Sequence, residues 1–124
     1  MVILTHFVTK HELAPLARYL TLEDILKGSA KVLKGLGIPT KPPSAIPGLQ
    51  FYKVRIGKMQ SARMIVFVLL NNKKIVPLLI RLKKDKIFGN NMALNNPLVV
   101  KELNKNLDAV LSDITNKKYE EFAV

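Results

Sequence analysis

Ten of the twenty lysine and arginine residues fall between positions 51 and 90, a stretch whose only acid is Asp85. Lys53 and Arg55 stand two apart, Arg63 follows, and Arg81, Lys83 and Lys84 close a third run. Arginine's fixed fork of donors matches phosphate oxygens. Preorganised charge aimed at a reacting phosphate is usually the largest catalytic term. RNA carries its own nucleophile, the 2′-OH. A protein that cuts it need only remove that proton, stabilise the phosphorane and protonate the leaving oxygen. A lysine among arginines has its charged form disfavoured and moves toward the range of a general base. The cations that could contact such a phosphate are Lys53, Arg55, Arg63 and Lys83, with Lys58, Arg81 and Lys86 as RNA-binding cations.

Other chemistries lack their residues. There is no cysteine, so no thiolate nucleophile and no disulfide framework, and only two histidines, His6 and His11, so no zinc site is expected. His6, in a first strand, reads as structural. No Walker loop or GxGxxG occurs, and the basic stretch has no paired carboxylates for two metal ions. No metal and no cofactor is expected. Phe51, Tyr52, Phe67 and Phe88 interleave with the cations and could stack on bases, although aromatics at strand positions are usually core.

The charge is local. Residues 1–50 carry +3, residues 51–90 carry +9 and residues 91–124 carry −1, which together give the net +11. Such concentration points to a polyanionic partner. An anionic membrane surface is the weaker partner, because the cations do not lie on an amphipathic helix with aromatic anchors. With 124 residues, 48% of them hydrophobic, the chain can build one packed domain and is not disordered. The longest apolar run, Met64 to Leu70, is seven residues, against about twenty for a membrane-spanning helix. The opening Met1-Val-Ile-Leu-Thr-His6 lacks the basic region and cleavage site of a signal peptide, so a cytoplasmic location is expected.

Cations so far apart in sequence converge only if a sheet carries them. Val2 to Val8 reads as a first strand. Thr9-Lys-His-Glu12 has the form of a capping box, with Pro15 limiting the helix behind it, and Thr21-Leu-Glu-Asp24 repeats the signal. Leu22, Ile25, Leu26, Leu33 and Leu36 then fall at helical spacing up to a stop at Gly37. Residues 37–49, with four prolines, form an extended connector. Residues 51–84 read as a three-stranded meander of Phe51 to Ile56, Ala62 to Leu70 and Ile75 to Leu82, with Pro77 at an edge or a bulge. Residues 85–96 are loop. Asn96-Pro97 caps a final helix over 97–116 whose stripe is Leu103, Leu107, Val110, Leu111 and Ile114. The order β-α-α-β-β-β-α predicts an α+β fold. A small antiparallel sheet would carry the helical pair on one face and the C-terminal helix on the other.

Strand parity locates the site. Phe51, Lys53 and Arg55 share the face opposite Tyr52, Val54 and Ile56. Burying the apolar set of the second strand places Arg63 opposite or diagonal to Arg55. In the third strand Val76, Leu78, Ile80 and Leu82 face the core, so Arg81 and Lys83 point with Arg55. Ile65, Phe67, Leu69, Ile75 and Leu79 complete that face and need the final helix as cover.

The three meander segments resemble the RelE/ParE toxin superfamily. The residues that carry the likeness are Ile46-Pro-Gly-Leu-Gln-Phe-Tyr-Lys-Val-Arg-Ile-Gly57, Ala62-Arg-Met-Ile-Val-Phe67, and Ile75 to Leu82 running into Lys83-Lys84. The likeness covers about residues 46–88; the preceding strand and helices agree in order only. It implies a RelE-like toxin of a type II toxin–antitoxin module, a metal-independent endoribonuclease that cuts mRNA on the ribosome and is neutralised by an acidic antitoxin. Lys53 and Arg55 then match the basic strand residues near the scissile phosphate, Arg63 the arginine that stabilises it, and Lys83 or Lys84 the basic pair after the last strand. The tyrosine that many members carry late in the chain is missing, its nearest counterparts being Phe88 and Tyr119; Tyr119 or a lysine would have to substitute. That departure and a longer C-terminal part leave open the ParE-like branch, which inhibits DNA gyrase, and a non-catalytic RNA-binding protein of the same fold.

Overall fold

A computed structural model describes residues 1–42, 46–88 and 92–124. Pro43 of the connector and Gly89, Asn90 and Asn91 of the loop lie outside the described residues. The fold is α+β, built on a six-stranded mixed sheet. Its strands are β1 (Val2–Thr5), β2 (Ile38–Thr40), β3 (Leu49–Ile56), β4 (Ala62–Leu69), β5 (Ile75–Leu82) and β6 (Tyr119–Phe122), in the spatial order β2-β3-β4-β5-β1-β6. The antiparallel meander β3-β4-β5 forms as the alternation predicts. The sheet as a whole is not antiparallel, because β1 joins β5 in parallel. The C-terminal strand β6, absent from the sequence reading, then pairs antiparallel with β1.

The first strand is shorter than Val2 to Val8. Its chain turns at Thr5, whose hydroxyl accepts from Val8 N at 3.3 Å and caps the helix α1 (His6–Val8). His6 is thus an exposed first-turn residue, not a strand residue. The helix continues as a π turn over Thr9–Leu13 and a 3₁₀ turn over Ala14–Leu16. The changes of pitch surround Pro15, which has no N–H to continue a regular ladder. Glu12 is not the far half of a capping box; it is buried and used elsewhere.

Helix α2 (Leu22–Leu33) starts at the Thr21/Asp24 capping box. It stops at Gly35, not Gly37: Gly35 takes the left-handed φ of 79° that ends helices. Gly28 lets α2 lie close on β3 and β4, since a methyl group there would run into Ile56 and Met64. Part of the expected connector, Ile38–Thr40, is the short edge strand β2, paired with β3.

Helix α3 (Pro97–Thr115) begins at the Asn96 cap with Pro97 in its first turn. It lies on the arginine side of the sheet, where its Glu102 reaches Arg81. The helical pair does not share one face. While α2 packs on β3, the first helical segment runs beside α3, with Phe7 N donating to Asp113 Oδ2 at 2.8 Å. A β-bulge sits where Ile65 opposes Leu79 but Val66 already opposes Pro77, so Pro77 costs the ladder little. The bulge shifts parity beyond it. Phe67 faces Val76, not the Ile75 that uninterrupted alternation places on its side.

Candidate anion site at the end of the meander

Register sets Arg55 directly opposite Arg63, and Arg63 directly opposite Arg81. Three arginines stand side by side across three strands. Each like-charge pair in such a row costs roughly 0.2–1 kcal/mol. Arg63, at the centre, is buried, with 9% of its surface exposed. Its Nη1 donates to Gln60 O at 3.1 Å and Ala62 O at 3.4 Å. Among the described residues no carboxylate lies within ion-pair distance of it. Burial first, and then the charge of Arg55, push its guanidinium below the usual arginine range. Arg55 is exposed, and its Nη1 faces Gln60 Oε1 at 3.5 Å.

Arg81 has a different fate. Its Nη1 donates to Glu12 Oε1 at 2.6 Å and its Nη2 to Glu102 Oε1 at 3.2 Å, while its guanidinium stands 4.9 Å above the Phe88 ring. Glu12 Oε1 also accepts from Ile80 N at 2.7 Å, an edge group of β5 beyond its pairing with β1. Asn106 Nδ2 takes Leu78 O at 2.9 Å along the same edge. Burial raises the Glu12 carboxyl above its ordinary range, against the opposing pull of Arg81 and of the Ile80 hydrogen bond. The basic stretch has one acid in sequence, but the fold brings others onto it from outside: Glu12 and Glu102 on Arg81, and Glu121 on Lys74 at 3.1 Å. Arg81 therefore holds helices to sheet, whereas the sequence placed it among the RNA-binding cations.

The remaining candidates surround the row. Lys53 lies on the same face, opposite Ile65. Lys58 is exposed in the β3–β4 turn, and Lys83, Lys84 and Lys86 are exposed just past β5. Lys83 N donates to Ser61 O at 2.7 Å, which fixes that segment against the start of β4. Asp85 does not neutralise the arginines; its Oδ1 accepts from Ile87 N and Phe88 N at 2.9 and 3.0 Å and shapes the turn.

No known protein family, curated protein or solved structure matches the chain. The site stands on its own geometry.

Tyr119 lies on β6 opposite Thr5, three strands from Arg63. The tyrosine at the basic end is Tyr19, which the sequence reading passed over. Lys84 Nζ donates to its hydroxyl at 3.4 Å and stands 4.4 Å above its ring. Its signal was an exposed aromatic in a loop, visible only once the fold returns that loop to the end of β5. Among the described residues no cluster of three or more His, Cys, Asp or Glu is placed to hold a metal ion. No helix there is long and apolar enough to cross a membrane. What the arrangement can do is hold an anion: among the described residues no acid occupies the donors of Arg63, and Arg55 lies beside it.

Proposed function

We propose that the chain is a toxin of a type II toxin–antitoxin module that cuts mRNA on the ribosome without a metal. The observation that carries this reading is a buried Arg63 that, among the described residues, has no carboxylate partner and stands between Arg55 and the ion-paired Arg81. A fold gains nothing from opposing like charges there unless a polyanion takes the place of the missing acid. In this reading Arg63 stabilises the phosphorane, Arg55 orients the phosphate, and Lys53, Lys83 and Lys84 supply the proton-transfer and backbone contacts. An acidic antitoxin covers the same surface by charge complementarity. Expression of the chain alone in bacterial cells should arrest growth and produce new mRNA 5′ ends. Arrest with intact mRNA overturns the nuclease assignment.

A second reading is a protein of the same kind that inhibits gyrase or binds RNA without cutting it. Phe88 favours it, because that ring is engaged by Arg81 and has no proton to transfer. A DNA-damage response with intact mRNA would select the gyrase branch.

A further inference from the structure

The turn between β3 and β4 carries Met59 into solvent. Among the described residues it is the most exposed large apolar side chain, at 94% of its surface against 67% for the next, Leu36. A single exposed apolar residue is ordinary on a protein surface. This one sits on a backbone that does not suit it. Met59 and Gln60 hold left-handed φ values of 56° and 55°, a region that non-glycine residues rarely adopt. The tip is nevertheless closed and braced. Gln60 N donates to Gly57 O at 3.0 Å and Ser61 N to Lys58 O at 3.2 Å. Gly57, itself at φ 84°, lets the turn seat against the loop before α2, because a methyl group there would meet Leu20 Cδ2 at 2.8 Å and Ser61 Oγ at 2.9 Å.

The same turn is tied to the anion site. Met59 stands midway between Arg55 and Arg63, four residues from each. Its neighbour Gln60 accepts from Arg63 Nη1 on its carbonyl at 3.1 Å and faces Arg55 Nη1 with its side-chain oxygen at 3.5 Å. Its other neighbour, Lys58, is exposed. A braced turn thus holds an apolar side chain among cations that attract phosphates. The large apolar surfaces that a single strand offers beside its phosphates are the faces of its bases. An unbranched, polarisable thioether packs well on a π-face. Methionine is also among the side chains that wedge between base steps.

We infer that Met59 is a wedge that enters between two neighbouring bases of the single-stranded RNA whose phosphate Arg63 and Arg55 hold. The inference rests on the RNA reading above and adds how the strand is shaped at that phosphate. Attack by the 2′-OH needs the attacking and leaving oxygens in line, and stacked neighbours hold the 2′-OH off that line. Parting the two bases relieves the constraint.

The experiment titrates the whole protein into a single-stranded oligo(A) with 2-aminopurine in its interior, at several salt concentrations between about 50 and 200 mM. Stacking quenches the emission of 2-aminopurine, so binding of the parent should raise it. Met59→Ala should bind about fivefold weaker at every salt concentration, the effect of leaving about half of a methionine side chain in water. Its salt slope should equal the parent's, because no charge is lost, and the emission rise should disappear. Met59→Leu, apolar and of similar size, should restore both. Lys58→Gln should make the slope shallower by about 0.7 and keep the emission rise.

Unchanged affinity in Met59→Ala overturns the inference. So does a parent complex without the emission rise, or a Met59→Ala complex that keeps it. Unchanged RNA binding with growth arrest lost overturns it in favour of a protein pocket for the side chain. The two readings fail separately. Unstacking that depends on Met59, without mRNA cleavage, removes the nuclease and keeps the wedge. Cleavage abolished by Arg63→Ala, but with unstacking untouched in Met59→Ala, removes the wedge and keeps the nuclease.

Discussion

Arg63 and Arg81 face one another on adjacent strands, and the same parity argument selects both. Their surroundings make them opposites. Among the described residues Arg63 has only backbone carbonyls as hydrogen-bond acceptors, whereas Arg81 is held by two carboxylates and is 17% exposed at its side chain. Removing one partner of a buried ion pair costs about 3–5 kcal/mol, because the other charge stays behind unpaired. Arg81→Ala should therefore lose stability on that scale in denaturant titrations. Arg63→Ala relieves like-charge contacts and should stay within about 1 kcal/mol of the parent. If Arg63 stabilises the transition state, its loss should instead slow RNA cleavage about a hundredfold, near 3 kcal/mol. A folded Arg63→Ala protein with full activity would reject the assignment. Glu12 makes a separate prediction. Its folded-state pKa is raised from the ordinary 4.5, so above that value the native state holds a proton that the unfolded chain has released. Stability from this group is full below about pH 4.5 and is lost as pH rises through the raised pKa. Stability curves of the parent and Glu12→Gln, measured in parallel, should diverge in favour of the variant as pH rises across that window. A constant difference would show that Glu12 does not titrate there.

Among the elements, the β3–β4 turn stands out by its backbone. Ser61 N donates to Lys58 O at 3.2 Å, and the two residues between, Met59 and Gln60, both have positive φ, 56° and 55°. That is the geometry in which hairpins prefer Asn-Gly. Non-glycine residues held there cost of order 1–3 kcal/mol each, and such strain clusters at functional sites. Here the strained Gln60 offers its carbonyl to Arg63 and its side chain to Arg55. Met59→Asn with Gln60→Gly should raise Tm by several degrees, about 1 kcal/mol, and weaken RNA binding by freeing Arg55. A lower Tm would show that the turn stores no strain. The sequence placed a turn between Ile56 and Ala62 but did not disclose its left-handed backbone, because Met-Gln is no signature of that type. It did disclose α2 through the Thr21/Asp24 box, α3 through Asn96-Pro97, and the Arg55–Arg63 register, since each depends on residues close in sequence or on simple alternation. Alternation failed at the bulge beside Pro77, where one added residue moved Val76 onto the Phe67 face.

Across the whole molecule, what stayed hidden was long-range. β6 returns to pair Phe122 with Val2, and Glu12 meets Arg81 across 69 residues. No local pattern marks such a meeting. Glu12 followed the spacing of a capping box, and Asn106 sits as a buried polar residue within the apolar stripe of α3. These long-range contacts alter the charge argument. The basic stretch does not act as ten equal cations, because Glu12 and Glu102 neutralise Arg81, and Lys73 and Lys74 sit in the turn at the far end of the β4–β5 hairpin. The exposed cations near the arginine row are Arg55, Lys58, Lys83, Lys84 and Lys86. If these meet about five phosphates of a single strand, the logarithm of affinity should fall against the logarithm of salt with a slope of about −3.5, some 0.7 per contact. Binding of a labelled single-stranded RNA should then weaken about a hundredfold between about 50 and 200 mM salt. Lys84→Gln should make the slope shallower by about 0.7, whereas Lys73→Asn, from the same stretch of sequence, should leave it unchanged. Equal shallowing by both variants would mean that RNA responds to the overall charge of the stretch and not to the end of the sheet where the fold gathers it.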